Sequence, residues 1–286
     1  MADAHDLHQR VGAWYRANAR DFPWRRRRDP YAVVVSEFML QQTQASRAAP
    51  AFEAFLRAFP TLQALADAEP GAVIRAWAGM GYNQRAVRLH RLAQTVAREH
   101  GGELPRSVDE LRRLPGVGPY TAAAVACFAF GASVPVADTN VYRVLSRVLY
   151  GVDAPSRAVI DRRVAGLTPG ADSPATPQEW HQGLMDLGAS VCTAAKPRCM
   201  LCPLREVCEA ADALQDGARP ALAEASIPYA PKQGRYEGST RYYRGKTVEL
   251  LRALPPGEAL PLAALRERLG DKALAIVGGL QRDGLA

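Results

Sequence analysis

The sequence predicts an all-α protein, and three observations support this fold class. Apolar residues recur at helical spacing, beginning with Leu7, Val11 and Trp14 in residues 3–19. Glycine or proline interrupts the periodic segments where a helix would end, for example at Gly151. No segment shows the alternating or β-branched pattern that is typical of strands. With 286 residues, 48% of them hydrophobic, the chain can build one large or two modest domains.

Further helical segments follow in chain order, and each presents an apolar stripe: residues 31–45, 46–59, 83–99 and 157–167. Capping boxes, which satisfy the first N–H groups of a helix, are predicted at Ser107 with Glu110 and at Thr176 with Glu179. Residues 209–235 are rich in alanine and proline and are interpreted as a linker. Residues 236–286 contain three short amphipathic segments, which predict a small helical, winged-helix-like domain.

The segment LRRLPGVGPYTAAAVACFAF predicts two helices joined by a tight turn, with Pro119 opening the second helix. Gly116 and Gly118 would let the backbone turn sharply, so that N–H groups at the start of that helix could face an anion. Taken alone, the pattern fits an ordinary helical hairpin equally well.

The chain carries a net charge of +7, almost wholly from arginine, which favours a polyanionic partner such as nucleic acid. Arg25, in the run WRRRR over residues 24–28, is a candidate phosphate contact, and a solvated charged face is the alternative. No apolar stretch approaches the roughly 20 residues that span a membrane, and the N-terminal residues lack a signal-peptide pattern. We therefore expect a cytoplasmic protein with no membrane partner.

Four of the five cysteines share one short basic stretch, with the spacing C-x6-C-x2-C-x5-C: Cys192, Cys199, Cys202 and Cys208. In a reducing compartment, clustered cysteines indicate metal binding or catalysis rather than disulfides. Four soft sulfur ligands suit zinc or an iron–sulfur cluster, and softness alone does not decide between them. Cys127 lies on an apolar helix face and is interpreted as an inert core thiol.

Two carboxylates are candidates for catalysis. Glu37 lies among apolar residues in PYAVVVSEFMLQQTQ, where partial desolvation would raise its pKa and favour a proton donor. A glutamate at the edge of the stripe, paired with an arginine, is the alternative. Asp138 precedes an amphipathic helix and is predicted to be its N-cap, held ionised at the positive end of that helix.

Five segments, in this order, resemble the MutY adenine DNA glycosylases over roughly residues 20–208: SEFMLQQTQ, GMGYNQRAVRLH, LPGVGPYTA, VPVADTNVYRVL and MDLGASVCTAAKPRCMLCPL. The resemblance implies a two-lobed helix-hairpin-helix DNA glycosylase fold over residues 1–208. Residues 29–136 would form a six-helix barrel lobe, and residues 1–28 with 137–208 an iron–sulfur lobe. The four clustered cysteines would then hold a [4Fe-4S] cluster.

The resemblance also implies the chemistry. Glu37 would protonate adenine and then serve as the base for water, and Asp138 would stabilise the sugar cation, with Tyr120 and Asn140 as supporting hydrogen bonders. The expected partner of a monomeric enzyme is double-stranded DNA with a mispair, whose target base is flipped out. The candidate DNA-contacting residues are Arg25, Gln41, Gln42, Thr43, Tyr82, Gly116, Gly118 and Lys196. Arg198 and Arg205 could also approach phosphates.

Related enzymes that also cut the strand use a lysine of the hairpin helix, where this chain has Tyr120, and no lysine precedes Lys196. This predicts a monofunctional glycosylase. Two departures bear on specificity: no β-rich segment follows residue 208 to form the Nudix-like domain common in the family, and GYNQRA replaces the more usual G-Y-Y-x-R-A. The alternatives are a glycosylase for thymine or uracil opposite guanine, or for another lesion, and a non-catalytic iron–sulfur DNA-binding redox sensor.

Overall fold

The computed structural model describes residues 3–27, 29–153, 155–218, 234–255 and 257–286, and the regular structure of these residues is helical. The all-α prediction is confirmed. The helices are α1 (Ala4–Asn18), α2 (Pro23–Arg26), α3 (Pro30–Leu40), α4 (Ala45–Ala58), α5 (Leu62–Ala66), α6 (Pro70–Ala76), α7 (Gln84–Glu99), α8 (Val108–Leu111), α9 (Pro119–Phe130), α10 (Thr139–Tyr150), α11 (Arg157–Gly166), α12 (Pro177–Ser190), α13 (Ala211–Gln215), α14 (Thr240–Arg252), α15 (Leu262–Leu269) and α16 (Ala273–Arg282). None of these described helices is both long enough and apolar enough to cross a bilayer.

The chain divides into two compact units. The first unit comprises Met1–Asp21 with Pro119–Ala230, and the second comprises Phe22–Gly118 with Pro231–Ala286. These units differ in their bounds from the predicted lobes, because the division falls at the start of α9 and the second unit includes α14–α16. The domain assignment made from the sequence stays a prediction.

The first unit is built around α12, on which α1 and α10 pack. Its fully buried core includes Leu7, Val11, Leu145, Trp180 and Leu184. The predicted capping box opens α12: the Glu179 N–H donates to the Thr176 hydroxyl (3.2 Å) and the Thr176 N–H donates to the Glu179 carboxylate (2.8 Å). Helix α13 lies inside the predicted linker, of which residues 219–233 lie outside the described part of the chain.

The second unit has α3 at its centre. Every residue from Tyr31 to Met39 is buried, as expected for a helix that is apolar on all sides. Asp29 caps its start by accepting from the N–H groups of Tyr31 and Ala32 (3.2 and 3.3 Å). The helix ends at Leu40, five residues before the end predicted from the sequence. The buried Arg85 binds the carbonyls of Phe38 and Met39 at this end. Helices α14–α16 confirm the three predicted C-terminal helices.

Candidate functional site

Glu37 lies in the last turn of α3, and only 8% of it is exposed. Its neighbours Phe38 and Met39 are fully buried. Glu37 therefore does not lie at an exposed edge of α3, and its pairing with an arginine stays a prediction. Burial of this residue favours the proton-donor interpretation, which also stays a prediction.

Arg85, in the first turn of α7, holds the end of α3 and the loop before α7. One guanidinium nitrogen donates to the carbonyls of Phe38 (3.0 Å) and Met39 (2.9 Å) and to the Gln41 carbonyl. The other nitrogen donates to the Thr43 hydroxyl (3.1 Å) and to the carbonyls of Met80 (3.1 Å) and Gly81 (3.2 Å). This single side chain fixes both the Gln41–Thr43 turn and the loop that carries Tyr82.

Those two loops contain the only non-glycine residues with positive φ in the described chain, Gln42 (56°) and Tyr82 (45°). Such backbone strain costs of order 1–3 kcal/mol and persists where the surroundings hold it in place. Gln42 is exposed, and 51% of Tyr82 is exposed. Gln41 and Thr43 are partly exposed beside them. The structure thus presents the predicted duplex-inserting side chains on loops that Arg85 braces.

Sequence reasoning gave no role to Arg85, although a signal was present. Arg85 shares the buried face of α7 with Leu89, Leu92 and Val96. A charged residue within an apolar stripe is almost never buried unless it is paired, so the pattern indicates a buried partner for Arg85. Burial lowers the pKa of its guanidinium to about 10, so the group stays charged at neutral pH.

Replacing Arg85 by methionine is expected to destabilise the protein by about 2–4 kcal/mol, because several buried carbonyls lose their donor at once. We also expect both strained loops to relax, since they lose this brace. Urea unfolding followed by circular dichroism measures the first effect. Arg98→Met is the matched control, because the Arg98 side chain is 71% exposed and pairs with its neighbour Glu99. Equal stability of the two variants would contradict the role of Arg85.

The predicted hairpin turn depends on Gly116. It has φ +78°, and a Cβ there would lie 2.9 Å from the Cβ of Arg88 and 3.0 Å from the Phe38 ring. Gly118 lacks a positive φ, and a Cβ there would meet nothing within 4 Å. The expectation that Gly118 serves the turn is therefore wrong, and a DNA contact there stays a prediction. Helix α9 begins at Pro119 as predicted.

Asp138 is the N-cap of α10, as predicted. One carboxylate oxygen accepts from the N–H groups of Asn140 and Val141, both at 2.9 Å, and the other accepts from the Asn140 side-chain amide at 2.7 Å. Three N–H donors at the positive end of a helix complement a negative charge and fix its position. Tyr120, in the first turn of α9, is 39% exposed.

Asn140 is itself held by the residues around the cysteine stretch. Arg143 donates to the Asn140 side-chain oxygen (2.8 Å), the Gly188 carbonyl (2.7 Å) and the Cys192 carbonyl (2.8 Å). A Cβ on Gly188 would lie 2.5 Å from the Asn140 Cβ, so only glycine allows this approach of α12. Arg147 adds bonds to the carbonyls of Thr193 (2.9 Å) and Ala194 (3.0 Å). The sequence did not reveal this chain of contacts between the cysteine stretch and Asp138.

The four clustered cysteines are partly buried, and three of them pack at the edge of the first unit's core. Burial raises the pKa of Cys202 to about 11 and of Cys208 to about 12, and it also raises the pKa of Cys199. The nearby thiols also raise the pKa of Cys199, Cys202 and Cys208. Within the described residues, however, no three donor side chains are close enough to hold a metal ion.

Three further predictions concern surface charge and the remaining cysteine. Lys196 is exposed in the cysteine stretch, where its carbonyl accepts from the Thr193 hydroxyl at 2.7 Å. Arg25 lies over the Phe22 ring, 5.3 Å from its centroid, and Arg28 lies outside the described residues. Cys127 is fully buried and burial raises its pKa to about 12, which confirms it as a core thiol.

Residues 35–169 match the family described as HhH-GPD superfamily base excision DNA repair protein. An adenine DNA glycosylase of Mycolicibacterium smegmatis is 44% identical over 243 residues, which cover 84% of this chain and 78% of that protein. A thymine-DNA glycosylase of Aeropyrum pernix is 36% identical over 208 residues, covering 71% of this chain and 92% of that protein. The solved structure of a thermostable thymine-DNA glycosylase aligns with a TM-score of 0.66 at 29% identity, covering 73% of this chain and 97% of that one.

Proposed function

Since the chain belongs to the adenine DNA glycosylases of the HhH-GPD superfamily, we propose that it excises adenine from pairs with 8-oxoguanine or guanine. It is a base excision DNA N-glycosylase acting on adenine. The identity of the opposite base is the finer part of the proposal. The observation that carries the proposal of adenine excision is the buried Glu37, one turn before the segment that contains the strained Gln42.

The reaction needs an acid and a negative charge, and two residues supply them. Adenine leaves poorly as an anion, so Glu37 donates a proton to a ring nitrogen of the base as the glycosidic bond breaks. The sugar develops positive charge, which the Asp138 carboxylate stabilises while Asn140 and the backbone N–H groups hold that carboxylate. Glu37, now ionised, takes a proton from the water that attacks the sugar, and Tyr120 adds a hydrogen bond.

Recognition of the duplex uses the strained loops and the basic residues. Tyr82 and Gln42 insert into the stack of base pairs at the position that the flipped adenine leaves. Gln41 and Thr43 contact the opened strands. Backbone N–H groups at Gly116 and Gly118, together with Arg25 and Lys196, bind phosphates without reading sequence. We propose that the enzyme acts in the cytoplasm as a monomer.

A panel of duplexes tests the proposal. Purified protein is incubated with duplexes that carry one A:8-oxoguanine, A:G, T:G or U:G pair, and alkali reveals abasic sites. We expect excision from the two adenine pairs, and the ratio of their rates measures any preference for 8-oxoguanine. Exclusive excision from T:G would favour the second candidate function, which the 36% identity to a thymine-DNA glycosylase supports.

The product should be an intact abasic strand, because the chain has no lysine before Lys196 to form a Schiff base with the sugar. Borohydride is added during turnover, and denaturing gels detect any covalent adduct. We expect none on residues 1–195. A trapped adduct in that segment would contradict a monofunctional mechanism.

We also propose that the four clustered cysteines hold a [4Fe-4S] cluster. Their soft donor set and the buried Arg205 Nε, which finds no hydrogen-bond acceptor within the described part of the chain, fit an anionic sulfur-rich group. The four cysteine thiols would have to lose their protons when such a group binds. The cluster would hold in place the cysteine stretch, which Arg143 links to Asn140.

Iron and acid-labile sulfide analysis of protein purified without oxygen measures the cofactor. We expect about four of each per chain, and much less in Cys199→Ser. Cys127→Ser is the matched control, since Cys127 is a core thiol away from the cluster stretch. One tightly bound zinc in place of iron would contradict the cluster and leave the glycosylase proposal intact.

A further inference from the structure

Helices α14–α16 share an apolar core with the helices on either side of the Tyr82 loop. Val248, Leu265, Ile276 and Leu280 of the C-terminal helices cluster with Ile74 of α6, and Val87 of α7 packs against the same cluster. Gly284 adds to the contact, since a Cβ there would lie 3.4 Å from Val87. Because α6 ends at Ala76 and α7 begins at Gln84, these contacts clamp both ends of the intervening loop.

Arg252, the last residue of α14, adds a polar connection to the loop itself. Its Nε donates to the Ile74 carbonyl (2.9 Å), and its Nη2 donates to the side-chain oxygen of Asn83 (2.9 Å). The Ile74 carbonyl is one of the last of α6, a position that lacks an intrahelical donor. Arg252 is half-buried, and desolvation lowers its pKa.

Asn83 lies at the N-cap of α7, but its side chain does not cap this helix. It stands at the N-cap of α7, where an asparagine normally accepts from N–H groups of its own helix. Its side chain makes no such bond, and its oxygen accepts from Arg252 instead. Asn83 has helical backbone angles (φ −57°, ψ −21°) rather than the extended angles of a capping residue, and its side chain binds the C-terminal helices instead. This contact explains the asparagine in GYNQRA.

Tyr82 is thus braced from two sides. Arg85 binds the Gly81 carbonyl on one side of it, and Arg252 binds the Asn83 side chain on the other. The strained backbone of Tyr82 (φ 45°) lies between these two anchors. Loss of either anchor would weaken the hold on this strained backbone, beside which the Trp77 indole N–H also donates to the Gly81 carbonyl (3.2 Å).

We propose that Arg252 is a positioning residue for Tyr82, so that the C-terminal helices take part in opening the DNA duplex. The proposal rests on the proposed function, since it takes Tyr82 as a side chain that enters the duplex. Residues 234–286 then preorganise the loop before DNA arrives, and the energetic cost of straining Tyr82 is met in folding rather than in binding.

A double-mutant cycle tests this proposal. Single-turnover excision from an A:8-oxoguanine duplex is measured for wild type, Arg252→Ala, Asn83→Ala and Tyr82→Ala, and for both pairings with Tyr82→Ala. We expect Asn83→Ala, which removes one charge-assisted hydrogen bond, to slow excision about tenfold, and Arg252→Ala, which removes two, to slow it at least as much. In the Tyr82→Ala background neither change should slow excision further, since the group being positioned is gone.

The controls separate positioning from general stability. Lys246→Ala changes an exposed residue of the same helix, which pairs with Glu249 at 3.4 Å, and is expected to match wild type. Fluorescence of 2-aminopurine placed beside the mispaired adenine reports duplex opening, and Arg252→Ala should lower it as Tyr82→Ala does. If Arg252→Ala does not fold, Asn83→Ala decides the outcome, because it removes the same bond from the loop side.

Two results would overturn the proposal while the glycosylase activity stands. One is excision at wild-type rate by Arg252→Ala and Asn83→Ala. The other is an undiminished further loss when either is combined with Tyr82→Ala, which would mean that Arg252 acts on stability alone. If the wild-type protein excises no adenine, the proposed function itself fails and this proposal fails with it.

Discussion

Glu37→Gln is expected to slow adenine excision by about 10²–10⁴-fold under single-turnover conditions, the range that a general acid contributes. Glutamine has nearly the same shape, but it cannot give a proton to the departing base or take one from water. The site should otherwise persist, since Glu37 lies in a helix whose residues from Tyr31 to Met39 are all buried. Binding to an A:8-oxoguanine duplex is therefore expected to change by no more than about threefold.

Quenched-flow assays give the excision rate, and fluorescence anisotropy gives the dissociation constant. Glu53→Gln is the matched control, because Glu53 is exposed on the neighbouring helix α4 and should keep full activity. Undiminished excision by Glu37→Gln would remove the acid role. Equal loss of binding and excision would mean that the substitution disturbs α3 rather than the proton transfer.

Local interactions of this site were predictable from the sequence. Asp138 caps a helix through bonds to residues two and three positions away, so an aspartate before an amphipathic segment was sufficient to predict it. The apolar residues around Glu37 predicted partial desolvation but left an edge position open, and the structure shows that the residue is buried. Pro119 at the first position of α9 and the turn at Gly116 are equally local.

Contacts between distant residues were not predictable. Arg85 binds atoms 42 to 47 residues away at the end of α3 and in the turn that follows, and so it ends that helix earlier than the periodicity indicates. Arg252 and Asn83 are 169 positions apart. The approach of Gly188 to Asn140 depends on how α12 packs on α10. An amphipathic pattern predicts which face of a helix is buried but not which element packs on that face. These positioning residues could therefore be identified only from the structure.

Asp138→Asn is expected to slow excision by about 10²–10³-fold, the cost of removing one preorganised charge from a transition state. Asparagine is as good an N-cap as aspartate and keeps an oxygen that can accept from the N–H groups of Asn140 and Val141, so the substitution removes the charge and one further bond, the one from the Asn140 side-chain amide. The fold should therefore change little, and we expect the melting temperature to stay within a few degrees of wild type.

Asp29→Asn provides a control of matched chemistry, since Asp29 also caps a helix by accepting two backbone N–H bonds, those of Tyr31 and Ala32. If capping were the main role of Asp138, both substitutions would have small and similar effects on excision. If Asp138 stabilises the sugar cation, only Asp138→Asn loses activity, and its loss appears in the rate at saturating DNA rather than in affinity, because the positive charge exists only in the transition state. Rates and dissociation constants for the two variants on one A:8-oxoguanine duplex therefore separate a structural carboxylate from a catalytic one.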